Sequence, residues 1–228
     1  MEDQGLKNAP INAVLITHEH QDHVGGAAVL ARQLAKKRKP VPFWMTRGTW
    51  EGCKPACRPD GAEFIEAGDA FFCADIGLDA IPVPHDTVDP IAWRVRLGGA
   101  CAAVITDLGR PTKLIARSMQ DCDALVLEFN HDEQMLLDGP YPLHLKQRIR
   151  GNHGHLSNSQ AAEILADGAG PKLQHVLLAH LSEENNRPEI ARELATSVLA
   201  RGGWPATVHL TRQRAAVPAV RMDVNPFG

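Results

Sequence analysis

The fold is read from Ala13-Val14-Leu15-Ile16-Thr17-His18-Glu19-His20-Gln21-Asp22-His23-Val24-Gly25-Gly26. The opening apolar run reads as a buried strand, and it ends in three histidines and two acids within six positions. Extended backbone at His18 and His20 points both imidazoles the same way, so the pair can grip one divalent ion. Asp22 and His23 follow on the turn into the next helix, where a carboxylate and an imidazole can hold a second ion. Paired ions of this kind sit roughly 3.5–4 Å apart and share a water or hydroxide. A polar strand end with solvated histidines is the plainer reading. Adjacent polar residues are common in loops, but this pattern behind a buried strand is not.

His18-x-His20-x-Asp22-His23 resembles the metal-binding signature of the metallo-β-lactamase-fold hydrolases. The resemblance implies an α/β chain, an αββα sandwich of the metallo-β-lactamase fold with a dinuclear site at one edge.

At 228 residues and 44% apolar composition, the chain is expected to form a single domain over residues 1–228. A formal charge of -3 argues against a generally basic nucleic-acid binder but leaves room for a local basic strip. No apolar stretch approaches the roughly 20 residues of a membrane span, and Met1-Glu2-Asp3-Gln4 lacks the order of a signal peptide. Five cysteines without a regular framework fit a reducing, cytoplasmic setting. Cys53-x-x-x-Cys57 is weak as a zinc pair, because the usual knuckle spacing and a partner pair are missing.

Further along, helical spacing from Gly25 to Lys37 runs into Lys36-Lys37-Arg38-Lys39 before Pro40, a solvated helix end or a phosphate-binding patch. Val41 to Met45 reads as a strand, Thr46 to Gly52 as a helical turn and Lys54 to Gly61 as a surface loop. Strands are expected over 70–74, 78–83, 91–97 and 101–106, with Gly98-Gly99 as a hairpin turn. From Pro111 helix and strand alternate, with strands at 124–129, 174–179 and 207–210 and helices at 111–119, 133–137, 143–150, 158–166 and 188–201.

Further donors should also stand at strand ends. His85 follows Ile81-Pro82-Val83-Pro84, Asp107 follows Ala103-Val104-Ile105-Thr106, and His180 follows His175-Val176-Leu177-Leu178-Ala179. Each alone reads as an ordinary polar strand end. Their order after the first cluster, however, resembles the superfamily's later metal motifs. That resemblance implies that His18, His20 and His85 hold one ion, that Asp22, His23 and His180 hold the other, and that Asp107 bridges both. Such donors suit zinc and also tolerate manganese or iron.

Leu127-Glu128-Phe129-Asn130-His131-Asp132, Lys146-Gln147-Arg148-Ile149-Arg150-Gly151, Gly154-His155-Leu156-Ser157-Asn158 and His180-Leu181-Ser182-Glu183-Glu184-Asn185-Asn186 resemble the YycJ-like branch of that superfamily. This branch is similar to the tRNA 3′-processing endonucleases, and its members are regarded as DNA exonucleases or nucleases. The resemblance implies a phosphodiesterase acting on nucleic acid, with a bridging hydroxide as nucleophile, Asp22 orienting it and His155 as general acid. His155 precedes the capping-box pattern Ser157-x-x-Gln160, so a fixed loop presents its ring; stabilising that loop is its alternative role. His131 and Asp132 match family positions as either structural support or substrate contacts, and His153 reads as surface. Asn185 and Asn186 either bind phosphate or turn the chain toward Pro188. Lys146, Arg148 and Arg150 read as a solvated helix face or as one wall of a nucleic-acid groove.

Only seventeen residues precede His18, where the superfamily has two or more strands. The first N-terminal strands are therefore expected to be missing, which would open a sheet edge to pairing with another chain and make an upstream-extended version more stable. Hydrolysis of a thioester, lactone or β-lactam on the same metals, or nucleic-acid binding without catalysis, are the competing functions.

Overall fold

In the computed structural model, which describes residues 10–37, 41–213 and 215–222, the described residues form two compact units. One is built from the chain up to Pro82 together with Asp86–Trp93, the other from Val83–His85 and the chain from Arg94 onward.

In the first unit the apolar run forms β1 (Val14–Leu15), parallel to β2 (Phe43–Thr46), which is parallel to β3 (Ala62–Ile65). The crossover from β1 to β2 carries α1 (Gln21–Val24) and α2 (Ala27–Lys37). Gly25-Gly26 divides what the pattern reads as one approach to a helix, because adjacent glycines carry the largest propensity cost after proline. Ala27, Ala31 and the partly buried Leu30 and Leu34 recur at helical spacing and pack with Ile16, Val24, Phe43 and Met45. Cys53 and Cys57 join this core, the latter from a 3₁₀ turn at Pro55–Cys57 inside the expected surface loop. Their burial among apolar side chains accounts for the pair as core packing. The basic run after α2 continues into Arg38, Lys39 and Pro40, which lie outside the described residues.

The Thr46 hydroxyl caps α3 (Arg47–Gly52) by accepting from the Thr49 N–H at 3.1 Å. β4 (Ala70–Cys73) and β5 (Ile76–Pro82) pair antiparallel. The returning segment is tied to the first strand: the Ile91 N–H donates to Thr17 O at 3.0 Å, and the Trp93 indole donates to Ile16 O at 3.0 Å. β6 (Ile91–Leu97) then leads into a two-residue turn at Gly98 and Gly99, with φ of 56° and 87°, values that favour glycine.

The second unit is a parallel sheet in the order β10 (Thr207–Leu210), β9 (His175–Ala179), β8 (Ala124–Glu128), β7 (Ala100–Ile105). The near-continuous apolar run of β8 suits a strand covered on both faces, and Leu125, Leu127, Val176 and Leu178 are fully buried. Each such side chain contributes about 1.5–3 kcal/mol. The connections carry α4 (Lys113–Met119), α5 (Glu133–Asp138), α6 (Leu143–Arg150), α7 (Asn158–Gly168) and α8 (Pro188–Gly202). Ser157 and Gln160 form the capping box that opens α7, as their spacing requires, and α7 packs on α8.

Candidate metal centre

In the first unit the alternation of an extended chain works as the sequence implies. His18 and His20 turn to one side with ring centroids 4.8 Å apart, while the Glu19 carboxylate turns away to accept from the Val88 N–H at 2.8 Å. His20 stands at the N-cap of α1 in extended conformation, and its carbonyl accepts from the His23 and Val24 N–H groups at 2.9 and 3.0 Å. That single turn brings the His23 ring to 4.0 Å from the His18 ring. Thr17 Oγ1 lies 3.1 Å from His18 Nδ1 and 3.0 Å from His23 Nδ1. A hydroxyl oxygen has two lone pairs, so it can accept from both Nδ1–H groups and fix the orientation of both rings. Asp22 Oδ2 stands 3.7 Å from His23 Nε2, and Asp86 Oδ1 stands 3.9 Å from His20 Nε2. Thr17 and Asp86 carry no sequence signal beyond their position next to a histidine.

In the second unit the functional side chains stand at the carboxyl ends of adjacent parallel strands, where α/β sheets place their ligands. Asp107 follows β7, Glu128 ends β8 and His180 follows β9. Asp107 and His180 both take left-handed backbone, with φ of 58° and 57°. For non-glycine residues this costs roughly 1–3 kcal/mol each, the kind of strain that gathers at working sites.

Glu128 has no exposed surface and is the hub. Its Oε1 lies 2.9 Å from His155 Nδ1 and 2.8 Å from His180 Nδ1. Its Oε2 accepts from the Leu108 N–H at 2.8 Å and the Leu156 N–H at 3.4 Å. Burial by itself would raise this carboxyl, but the hydrogen bonds from His155 and His180 outweigh it and hold Glu128 below the usual carboxylate range. The same balance acts on His155, which burial lowers and the Glu128 bond raises, with a net upward shift. Asp107 Oδ1 lies 3.6 Å from His180 Nδ1, 3.8 Å from His155 Nδ1 and 3.8 Å from His85 Nε2. The His85 ring is fixed through Nδ1, 3.1 Å from Gly154 O.

Gly154 explains how the His155 loop is held. A Cβ there would sit 2.2 Å from the carbonyl oxygens of Arg148 and Ile149, and the His155 N–H donates to Ile149 O at 2.9 Å. The last turn of α6 thus clamps the loop directly. No residue of α6 is buried; Arg148 and Arg150 are exposed, as is His153. Lys146 Nζ donates to Leu137 O at 2.6 Å.

The asparagines are structural ties. Asn186 Nδ2 donates to Phe129 O, Asn130 O and Asn158 Oδ1, and its Oδ1 accepts from Asn158 Nδ2 and the Arg187 N–H. Asn130 Nδ2 donates to His180 O at 2.8 Å. Asn185 is buried, and its carbonyl accepts from the Asp132 N–H. Asn186 is thereby engaged in tying the chain turn, whereas the side-chain amide nitrogen and oxygen of Asn185 are buried without a hydrogen-bond partner among the described residues. Asp132 caps α5 by accepting from the Met135 N–H. Buried His131 accepts from the Asn158 N–H through its carbonyl, and burial pushes its imidazole down to about 4.

Glu128 carries no role that its sequence motif by itself displays. The available signal was its place, a carboxylate closing an apolar strand as Asp107 does.

Asp107, Glu128, His155 and His180 each offer a donor atom, and these atoms lie within 4.8 Å of one another. Carboxylate and imidazole donors without thiolate fit a divalent ion of the zinc, manganese or iron type. With two imidazole Nδ1 atoms already at hydrogen-bond distance from Glu128, this carboxylate orients the His155 and His180 rings.

The family model described as "Beta-lactamase superfamily domain" matches residues 2–180. The chain is 34% identical over 197 residues to exodeoxyribonuclease YycJ of Bacillus anthracis, covering 85% of this chain and 73% of that protein. It is 33% identical over 199 residues to exodeoxyribonuclease WalJ of Streptococcus pneumoniae, covering 85% and 72%. Among solved structures, the metallo-beta-lactamase fold protein YhfI of Bacillus subtilis superposes with a TM-score of 0.67 at 14% identity, covering 92% of this chain and 80% of that one.

Proposed function

The chain belongs to the beta-lactamase superfamily and has the metallo-β-lactamase fold, and from that premise we propose that it is a metal-dependent phosphodiesterase that cleaves nucleic acid, as a DNA exonuclease. The exodeoxyribonuclease relatives at 33–34% identity support the substrate class.

His18, His20 and His85 would hold one ion, Asp22, His23 and His180 the other, and Asp107 both. Divalent ions there supply Lewis acidity and a nucleophile at neutral pH. The chain's own contribution is to orient donors and hold protons. Thr17 and Glu128 stand at hydrogen-bond distance from Nδ1 of their histidines and fix the orientation of those rings.

The observation that carries the reading is the Glu128–His155 pair. Its carboxylate is buried, while the His155 side chain is 21% exposed. An imidazole raised in basicity by a buried carboxylate, with its other nitrogen free to face substrate, holds a proton for a leaving oxygen. The solvent-exposed Asp22 carboxylate orients the attacking group. The five cysteines are free thiols, in keeping with work in a reducing compartment, the cytoplasm.

Metal analysis of the purified protein should find about two ions per chain. His20→Ala should lose both metal and hydrolysis of bis-p-nitrophenyl phosphate. His155→Ala should keep its metal and lose turnover by roughly 10²–10⁴. Turnover by a metal-free His20→Ala protein would sink the mechanism. End-labelled single- and double-stranded DNA and RNA then test the substrate: a ladder from one end of DNA is the expected product.

A further inference from the structure

A cleft of about 680 Å³ opens beside His180, within the second unit. Its size falls in the roughly 300–1,000 Å³ range of small-molecule and cofactor sites. His180 forms one wall. Ser182, Thr211 and Arg212 also line it, and they bring hydroxyl and guanidinium donors to a space that continues from a proposed metal ligand.

The frame holding these donors is ordered by backbone bonds. The Ser182 N–H donates to Asn130 O at 2.8 Å, and the Asn185 N–H donates to Ser182 Oγ at 3.1 Å. Ser182 Oγ thus accepts from its own chain and keeps its O–H to donate. Thr211 follows β10 directly, and its N–H donates to Leu178 O at 3.0 Å. Arg212 is exposed, and its backbone pairs antiparallel with Ala215. The Asn186 amide, which also reaches this wall, is fully engaged with backbone and Asn158, so it adds no recognition.

The lining carries charges of both signs. Arg212 offers a planar fork suited to phosphate oxygens. Glu183, on the same lining, repels an anion and accepts from hydroxyl or amino groups. Leu181 and Pro188 supply apolar surface for a sugar or base. A bare anion would use only the cationic part of this lining; a nucleotide unit offers groups for the cationic, anionic and apolar parts alike.

The geometry points to a second subsite in this cleft, where Arg212, with the Thr211 and Ser182 hydroxyls, holds the phosphodiester next to the one being cleaved, and Glu183 takes the attached nucleoside. This assignment rests on the phosphodiesterase reading and makes it specific: the substrate is a nucleic-acid strand with at least two successive phosphates. Arg212 acts as a specificity residue for the neighbouring phosphate.

Two assays on the metal-loaded protein separate the subsite from the reading beneath it. Bis-p-nitrophenyl phosphate has one phosphate and offers no second one to the subsite, so Arg212→Ala should leave its turnover unchanged. With a short fluorescein-labelled single-stranded oligodeoxynucleotide, Arg212→Ala should raise KM roughly tenfold with little change in kcat, the loss expected for one charge-assisted contact. Anisotropy binding of the same oligonucleotide should weaken by a similar factor. The slope of log Kd against log salt should fall by about 0.7, one phosphate contact on a single strand. Arg212→Lys should recover part of both effects. Equal losses on both substrates, or oligonucleotide binding unchanged in Arg212→Ala, would overturn the subsite. Wild-type protein that binds the oligonucleotide through Arg212 yet hydrolyses neither substrate would keep the subsite and overturn the phosphodiesterase.

Discussion

Glu128 Oε1 accepts a hydrogen bond from His155 Nδ1 at 2.9 Å, from a carboxylate with no solvent exposure. An ionised carboxylate only accepts, so His155 carries its proton on Nδ1 when neutral and presents Nε2 outward. The same oxygen receives His180 Nδ1 at 2.8 Å, so one buried charge orients two imidazoles of different proposed roles. Glu128→Gln keeps the shape but replaces one acceptor oxygen with an NH₂ that can only donate. Activity on bis-p-nitrophenyl phosphate, metal affinity, or both should fall roughly 10–100-fold. Paired turnover and metal measurements on a folded Glu128→Gln protein check this; wild-type values in both would show that Glu128 only fills space.

Gly154 is expected to be the least replaceable glycine of the site. Its added Cβ would meet the Arg148 and Ile149 carbonyl oxygens at 2.2 Å, and both are helix backbone that cannot swing aside. Gly154→Ala should shift the loop that carries His155 and accepts from His85, costing about 1–3 kcal/mol of stability. In a chain of this size that is a Tm drop on the order of 5 °C, with a larger fractional loss of turnover. Gly170→Ala, where nothing lies within 4 Å, is the control and should leave both unchanged.

His131 links stability to acid. Burial lowers its pKa from 6.5 to about 4, so between those values the unfolded chain binds the proton more readily than the folded one. Its contribution is full above pH 6.5, declines as pH falls toward 4, and is gone below. The total is on the order of 3 kcal/mol. Urea denaturation at a series of pH values should show this decline, and a folded His131→Gln variant should show a shallower one.

Cys101 should behave as the thiolate of a buried pair. Its Sγ lies 3.4 Å from Cys122 Sγ and 3.1 Å from Arg94 Nε. The hydrogen bond from Cys122 is the largest influence; burial opposes it, the Arg94 bond assists it, and the result is a thiol pulled down to about 6. Cys122 is pushed upward in turn, chiefly by the bond to Cys101. Thiolate absorbance followed against pH should show a transition near 6 that moves up in Cys122→Ala and in Arg94→Ala. A transition that stays in place in both would refute the assignment.

Much of this protein was determined by its sequence alone, because the relevant signals are local. The apolar runs at 13–16, 103–105 and 176–179 are followed within two residues by histidine or aspartate, and period-two geometry by itself puts His18 and His20 on one side. Ser157 and Gln160 make their capping box across three residues. Tertiary structure decided what depends on partners distant in the chain. Glu128 gained its role only when parallel pairing brought β7, β8 and β9 side by side, so that it meets His155 and His180, 27 and 52 residues away. Asn186 became a backbone tie because Phe129, Asn130 and Asn158 converge on it, and Arg212 became part of a cleft with His180 because β10 lies beside β9. A sequence displays donor types and local periodicity. Which donor satisfies which buried acceptor is set by strand order and by the cost of leaving a buried polar group unpaired.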